Sequence, residues 1–268
     1  MEKAMELATD KMLAEAEEGI GWMIFNNPER RNALSLEMWE AIPQILDAFA
    51  EDGGVRVVVM KGAGDKAFVS GADISQFEER RSNAEQAAIY TAALEGAKEK
   101  LAGFPKPLIA MIRGFCLGGG LSVALNADLR IASDDAQLGI PAGRLGIAYG
   151  FDSLRQLVDL VGPSCAKDIL FTARRLGAAE ALRIGLLNRV VAAGALEGAV
   201  REAALTIAGN APLSVKAAKV CIGEVVKDPA ERDLAEVERL GKACFDSQDY
   251  AEGRRAFMEK RKPVFTGR

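Results

Sequence analysis

Histidine is absent from all 268 residues of this chain. Its absence removes the commonest general base, the commonest transition-metal ligand and every Ser-His-Asp or Cys-His arrangement. Chemistry here falls to carboxylates, tyrosine, lysine, backbone amides or bound water. Cysteine is sparse: Cys116, Cys165, Cys221 and Cys244 are scattered with no CxxC pair, so neither a zinc site nor a disulfide framework is indicated and no metal is expected. Free buried thiols are the expectation for all four. No uninterrupted apolar run reaches eighteen residues, and Met1 to Asp10 mixes charges with apolar residues where a signal peptide would build a hydrophobic core. The reading is a cytoplasmic protein without a membrane partner. A basic excess is missing too: the net charge is −4 and the isoelectric point about 5.3, which argues against a nucleic-acid partner. An anionic ligand must then meet a local basic cluster.

With 49% hydrophobic residues the chain can fill one large core, or a domain with a helical appendage. Lys11 to Glu17 alternates in polarity and Gly19 to Phe25 follows Glu18-Gly19, which predicts a hairpin that Asn26-Asn27-Pro28 ends. Ser35 is a candidate N-cap for an amphipathic helix over 36–50, carried by Met38, Ile42, Ile45, Leu46 and Phe49, with Pro43 expected to kink it or mark a shortened first turn. Val55 to Met60 and Pro107 to Ile112 read as buried parallel strands separated by a helical stretch, and Asp128 to Ala132 as another short strand. Strand, helix, strand order implies an α/β core with crossover connections. Helices are expected over Ser153 to Val161 and Ser164 to Phe171. From Leu196 onward nearly everything reads as helix, including Leu213 to Val226 and Ala230 to Phe245.

Two glycine-containing segments each follow a strand: Phe68-Val-Ser-Gly-Ala-Asp-Ile74 and Gly114-Phe-Cys-Leu-Gly-Gly-Gly120. Glycine lets a backbone turn sharply and approach a ligand, and the first free N–H groups of a helix carry partial positive charge, which suits an oxyanion. A tight-packing turn is the plainer use of the same residues. Neither segment is a Walker loop or a GxGxxG fingerprint.

In this order and at this separation, the two segments resemble the enoyl-CoA hydratase/isomerase (crotonase) superfamily. The resemblance runs from about Lys11 to the carboxy terminus. It also draws on Asn27-Pro-Glu-Arg-Arg-Asn-Ala-Leu34, Phe171-Thr-Ala, Ala181 to Val191 and Phe257-Met-Glu-Lys-Arg-Lys262. It implies an α/β fold, a spiral of repeated β-β-α turns with a C-terminal helical trimerisation region. The acyl-CoA site would lie in a core over 1–195. Residues 196–268 would serve oligomerisation, as a homotrimer or homohexamer, and would close the site. The implied partner is an acyl-CoA thioester, with coenzyme A as part of the substrate and no separate cofactor. The N–H groups of Ala72 and Gly119 match the family's oxyanion hole for a thioester enolate. Arg30, Arg31, Ala33, Ser70, Asp73 and Ile74 match segments that wrap coenzyme A, and Phe257 and Lys260 match positions reached from the C-terminal helix.

A hydratase of that family opposes two carboxylates, one shortly after the GGG and one in a Pro-Glu pair. Here those positions hold Ser122 and Ala142. Serine without histidine is a poor nucleophile or base, so packing, a bond to its own helix or a held water is the plainer role for Ser122. Tyr149, in Leu-Gly-Ile-Ala-Tyr, and the ending from Asp246 to Gly267 resemble the superfamily's methylmalonyl-CoA decarboxylases, although those carry histidine at the position of Ala72 and glutamate at that of Ser122. Decarboxylation needs an enolate stabilised and a carboxylate poorly solvated, not a glutamate base. The other readings are an atypical hydratase, isomerase or thioester hydrolase using water or Asp152, and a non-catalytic acyl-CoA-binding protein. An RNA-binding relative is disfavoured by the acidic composition, and a Clp-like serine peptidase is excluded by the lack of histidine.

Overall fold

The structure is a computed structural model that describes residues 5–73 and 84–268. The expected hairpin is β1 (Met12–Glu17) against β2 (Ile20–Phe25), paired antiparallel from Met12 with Phe25 to Glu17 with Ile20. Glu18 and Gly19 both take positive φ, 50° and 85°, which matches a two-residue turn to the twist of its strands. Parallel strands β3 (Val57–Gly62), β5 (Leu108–Ile112), β7 (Leu129–Ser133) and β10 (Arg189–Val191) extend β2, giving a six-stranded sheet in the order β1-β2-β3-β5-β7-β10. The intervening strands β4 (Ala67–Val69), β6 (Phe115–Leu117) and β8 (Gln137–Gly139), with β9 (Leu176–Gly177), form a second sheet in the order β4-β6-β8-β9. From β3 to β8, each unit of the chain thus places one strand in the large sheet and the next in the small one. It then enters a helix or helical turn, and this is the repeated β-β-α spiral.

Among the described residues the helices are α1 (Leu36–Glu51), α2 (Ala84–Ala102), α3 (Gly119–Leu125), α4 (Phe151–Thr172), α5 (Ala178–Arg183), α6 (Leu196–Ala208), α7 (Pro212–Val225), α8 (Leu234–Phe245) and α9 (Gln248–Glu259). Alternation along β2 splits the core. Met23 and Phe25 join Met38, Ile42, Ile45 and Phe49 of α1, while Ile20, Trp22 and Ile24 join Val57, Val59, Ile109 and Ile131 under Leu196, Val200 and Ala204 of α6. Full burial of each large side chain contributes about 1.5–3 kcal/mol, and here both faces of the sheet are dry.

Several expectations are revised. Pro43 lies well inside α1, which continues to Glu51, and Ser35 holds the N-cap position with no side-chain cap bond. The two helices expected over 153–171 are halves of α4, broken at Gly162 (φ 74°, ψ 163°) before Pro163. The helix expected from Ala230 starts at Leu234, because Asp233 caps it by accepting from the Glu236 N–H at 2.9 Å and 229–231 forms a separate 3₁₀ turn. Only Cys116 is fully buried, the other three thiols being half-buried. Ile74 and the loop after it fall outside the described residues. Among the described residues no helix is long and apolar enough to cross a membrane, and no group of side chains is arranged to hold a metal.

Candidate active site

The two glycine segments meet. Leu34 and Ala72 form an isolated parallel bridge in which Leu34 N–H donates to Gly71 C=O at 2.8 Å and Asp73 N–H donates to Leu34 C=O at 2.9 Å. In parallel pairing the bracketed residue turns its own N–H to the opposite side. Among the described residues no acceptor takes the Ala72 N–H. Gly118 (φ 52°, ψ −115°) donates to Gly139 C=O at 2.8 Å and reverses the chain into α3, whose first residue is Gly119. The Gly119 N–H is likewise untaken, as expected in a helix's first turn. An ideal Cβ on Gly119 would lie 3.7 Å from the Ala72 nitrogen, so the two amides are neighbours.

Close packing fixes this arrangement. A Cβ on Gly120 would lie 2.1 Å from Val69 O, so the start of α3 presses directly on β4 and only glycine fits. On the other side Asn32, fully buried at φ 55°, ties the loop before Leu34 in place. Its Nδ2 donates to Ala63 C=O (3.0 Å) and Ala67 C=O (2.8 Å), and its Oδ1 accepts from the Asn27 N–H (2.9 Å). Asn32 was not singled out from the sequence, although an asparagine between Pro28 and a buried leucine is the residue type that tolerates this left-handed backbone.

Tyr149 approaches the turn that leads into the pair. Its hydroxyl lies 3.9 Å from where a Cβ on Gly118 would stand, and the ring packs against the main core. Burial pushes its phenol up to about 12, so it stays protonated and able to donate at neutral pH. Ser122 lies one turn into α3, 4% exposed, and its Oγ is buried with no hydrogen-bond partner among the described residues. Its carbonyl accepts from Asn126 Nδ2 (2.8 Å), and Asn126 Oδ1 accepts from Gln156 Nε2 (2.8 Å) on α4. Ala142 is buried in the 3₁₀ turn Pro141–Arg144, and Pro141 Cδ is 4.0 Å from the same Gly118 Cβ position. Arg144 and Asp152 are exposed.

The remaining residues divide. Ser70 is bound to the Arg30–Arg31 loop, its N–H donating to Arg31 C=O at 3.1 Å and its hydroxyl to Arg30 C=O at 3.4 Å; Ala33 is buried behind them. Arg30 and Arg31 are both exposed; the Arg31 guanidinium lies 5.2 Å from the Phe115 ring centre and borders a cleft with Pro28, Gly64, Asp65 and Lys66. That cleft is separate from the amide pair: neither Ala72, Gly119 nor Tyr149 lines it. Asp73 is half-buried just beyond Ala72. Phe257 and Lys260 are exposed at the end of α9, and no hydrogen bond or ring contact of the described residues links them to the amide pair.

The sequence pattern of the enoyl-CoA hydratase/isomerase family matches residues 15–268. This chain belongs to that family. Among enoyl-CoA hydratase/isomerase members it is similar to a short-chain-enoyl-CoA hydratase of Clostridium acetobutylicum, at 37% identity with 96% of this chain and 97% of the relative covered. A crotonyl-CoA hydratase of Syntrophomonas wolfei is 36% identical, with 97% and 99% covered. Among solved structures of the family, an enoyl-CoA hydratase/carnithine racemase from Magnetospirillum magneticum superposes with a TM-score of 0.92 at 36% identity, covering 97% of both chains.

Proposed function

We propose that this acyl-CoA enzyme binds a thioester carbonyl on the N–H groups of Ala72 and Gly119, turns it into an enolate and does so by releasing carbon dioxide from a malonyl-type acyl group. The observation that carries the reading is the combination of two adjacent amides, untaken among the described residues, with a protonated Tyr149 at the Gly118 turn before them and no carboxylate at Ser122 or Ala142. In decarboxylation the bond from Cα to the carboxylate breaks, its electron pair forms the enolate, and carbon dioxide leaves. No base has to remove a proton. The oxygen that gains charge lies on two fixed donors, each contributing about 3–4 kcal/mol in the transition state. Cα then takes a proton, for which the Tyr149 hydroxyl is the donor at hand, and solvent restores it.

Arg30, Arg31, Ala33, Ser70, Asp73 and Ile74 are proposed to hold coenzyme A, with Phe257 and Lys260 closing over it. Ser122 and Ala142 border the acyl group. Exposed apolar residues on α7, α8 and α9, among them Ile222, Phe245 and Phe257, support a homotrimer or homohexamer built through this region, in the cytoplasm.

The names of the relatives favour a second reading, hydration of a short-chain enoyl-CoA by water alone. Incubation with malonyl-, methylmalonyl-, crotonyl- and 3-enoyl-CoA, each product read by mass, separates the readings. Loss of carbon dioxide from a malonyl-type member, abolished in Tyr149→Phe, is the expected result. Addition of water to crotonyl-CoA supports hydration instead, and binding without any product supports a non-catalytic acyl-CoA binder.

A further inference from the structure

Tyr149 is brought to the Gly118 turn by a segment with little hold of its own. Residues 143–148 are exposed, Gly146 takes a φ of 65°, and among the described residues no hydrogen bond takes the N–H groups of Ala148, Tyr149 or Gly150. Backbone that is exposed and unbonded contributes little to fixing its own conformation. The place of the phenol therefore follows the helix that starts two residues later. That helix is itself divided: Gly162 (φ 74°, ψ 163°) breaks it, and Pro163 lacks the N–H that would bond back to Asp159. Residues 151–161 are thus positioned by what they pack on, not by the second half of α4.

The buried side chains of this first half are Ser153, Leu157 and Val161, a narrow stripe. One hydrogen bond adds register against the helix that carries Gly119. The seven-residue α3 leaves its last carbonyls without helical partners, and Asn126, at its C-cap, satisfies one by donating from Nδ2 to Ser122 C=O at 2.8 Å. A carbonyl only accepts, so the Asn126 amide is fixed with Oδ1 turned outward, and Gln156 Nε2 donates to it at 2.8 Å. Gln156 is half-buried on the second turn of α4. Among the hydrogen bonds of the described residues this one alone links α3 with α4. The others on this half, from Lys98 Nζ to Ser153 Oγ (2.9 Å) and from Arg155 to Val226 C=O (3.0 Å), tie it to α2 and to the end of α7. A single line of bonds, Gln156 to Asn126 to Ser122 C=O, therefore joins the helix whose first residue is Gly119 to the helix whose entry carries Tyr149.

We propose that Gln156 is a positioning residue: its bond to Asn126 sets the first half of α4 in register with α3 and so holds the Tyr149 hydroxyl at the Gly118 turn. The inference rests on the role given to Tyr149 above and adds a residue that acts through it.

The test is nuclear magnetic resonance of the full chain carrying ¹³C at the tyrosine ζ-carbons, with a soluble gadolinium chelate as the probe of exposure and the Tyr149 signal assigned by its loss in Tyr149→Phe. The chain has three tyrosines, and the other two bracket the scale, Tyr90 being 5% exposed and Tyr250 44%. In wild type Tyr149 is expected to broaden less than Tyr250. Gln156→Glu is nearly the same size but turns an oxygen toward Asn126 Oδ1, and a flip of Asn126 only moves the clash to Ser122 C=O. Tyr149 should then broaden as Tyr250 does while Tyr90 stays protected. Gln156→Leu should act alike, and Gln156→Glu decides alone if Gln156→Leu folds poorly. Unchanged protection of Tyr149 in Gln156→Glu overturns the proposal, as does joint loss of protection at Tyr90, which would mark a general loosening. On a malonyl-type thioester that wild type decarboxylates, Gln156→Glu lowers kcat at least ~10-fold with KM little changed. It has no further effect in Tyr149→Phe, and an equal effect in both backgrounds overturns the proposal. If wild type decarboxylates no such thioester, the decarboxylation reading falls and the resonance result still decides the role of Gln156.

Discussion

At Gly118–Gly120 the backbone has no latitude: a single added carbon at Gly120 would sit 2.1 Å from Val69 O, and the neighbouring amides of Ala72 and Gly119 are held by the bridge to Leu34 and by Asn32. A few residues on, around Ser122 and Ala142, the side chains are loosely committed. There the Ser122 Oγ is buried without a partner among the described residues, and Ala142 brings no polar group. The comparison teaches where the chemistry resides. Under the proposed function, stabilisation of an enolate rests on backbone geometry and depends little on which side chains surround it. Acid-base work would be written in side chains, and in the proposed reaction it falls to the Tyr149 phenol alone, since Ser122 and Ala142 are not carboxylates.

The largest effect should come from the rigid half. Gly120→Ala forces α3 away from β4 and separates the two amides, so kcat on any accepted thioester falls at least ~100-fold, and thermal unfolding shows destabilisation of about 3 kcal/mol. Ala72 and Gly119 themselves cannot be tested by side-chain removal, which is why the strut behind them is the target. Next, Tyr149→Phe removes the only phenol at the pair and lowers kcat about 100-fold with KM little changed; an equal rise in KM would assign the hydroxyl to binding instead.

The side-chain half can be refilled. Ser122→Glu combined with Ala142→Glu restores both carboxylates over unaltered amides, and hydration of crotonyl-CoA, followed by loss of its double-bond absorbance, should rise at least ~10-fold over wild type. No gain in a folded double variant would show that the two halves are not independent. Far from both, Asp249 is buried and accepts from Thr266 N–H (2.7 Å) and Gly267 N–H (2.8 Å) to hold the C-terminal tail against α9. Asp249→Ala should destabilise by about 1–3 kcal/mol in denaturant unfolding, by freeing those donors.

The smallest effect is a pH dependence. Because the Tyr149 phenol is raised in the fold, to about 12 from an ordinary value of 10.0, the folded state holds its proton more tightly than the unfolded chain does. Its contribution is complete below pH 10 and is lost as pH rises toward 12. Wild type should therefore lose stability relative to Tyr149→Phe over that window, and a difference that stays constant would contradict the burial of the hydroxyl.

Much of the rigid half was legible in the sequence, because it obeys local rules. Alternation gave the hairpin, β-branched runs gave β3 and β5, and glycines after strands marked the turns at 71 and 118. That those turns lie side by side came from the resemblance, not from either segment alone. Asn32 was missed because it is defined by a partner 35 residues away, and no periodicity encodes such a contact. The helix starting at Leu234 and not at Ala230 was missed because Asp228 and Asp233 compete as caps in one short stretch, and composition does not rank them.

Infrared spectroscopy of a bound acyl-CoA labelled with ¹³C at the thioester carbonyl tests the central claim most directly, since it reads the two amides without requiring turnover. The account predicts that the carbonyl stretch moves to lower frequency on binding and that Gly120→Ala, where it still binds, abolishes most of that shift. A bound thioester whose carbonyl absorbs as it does in water would mean that Ala72 and Gly119 do not hold it.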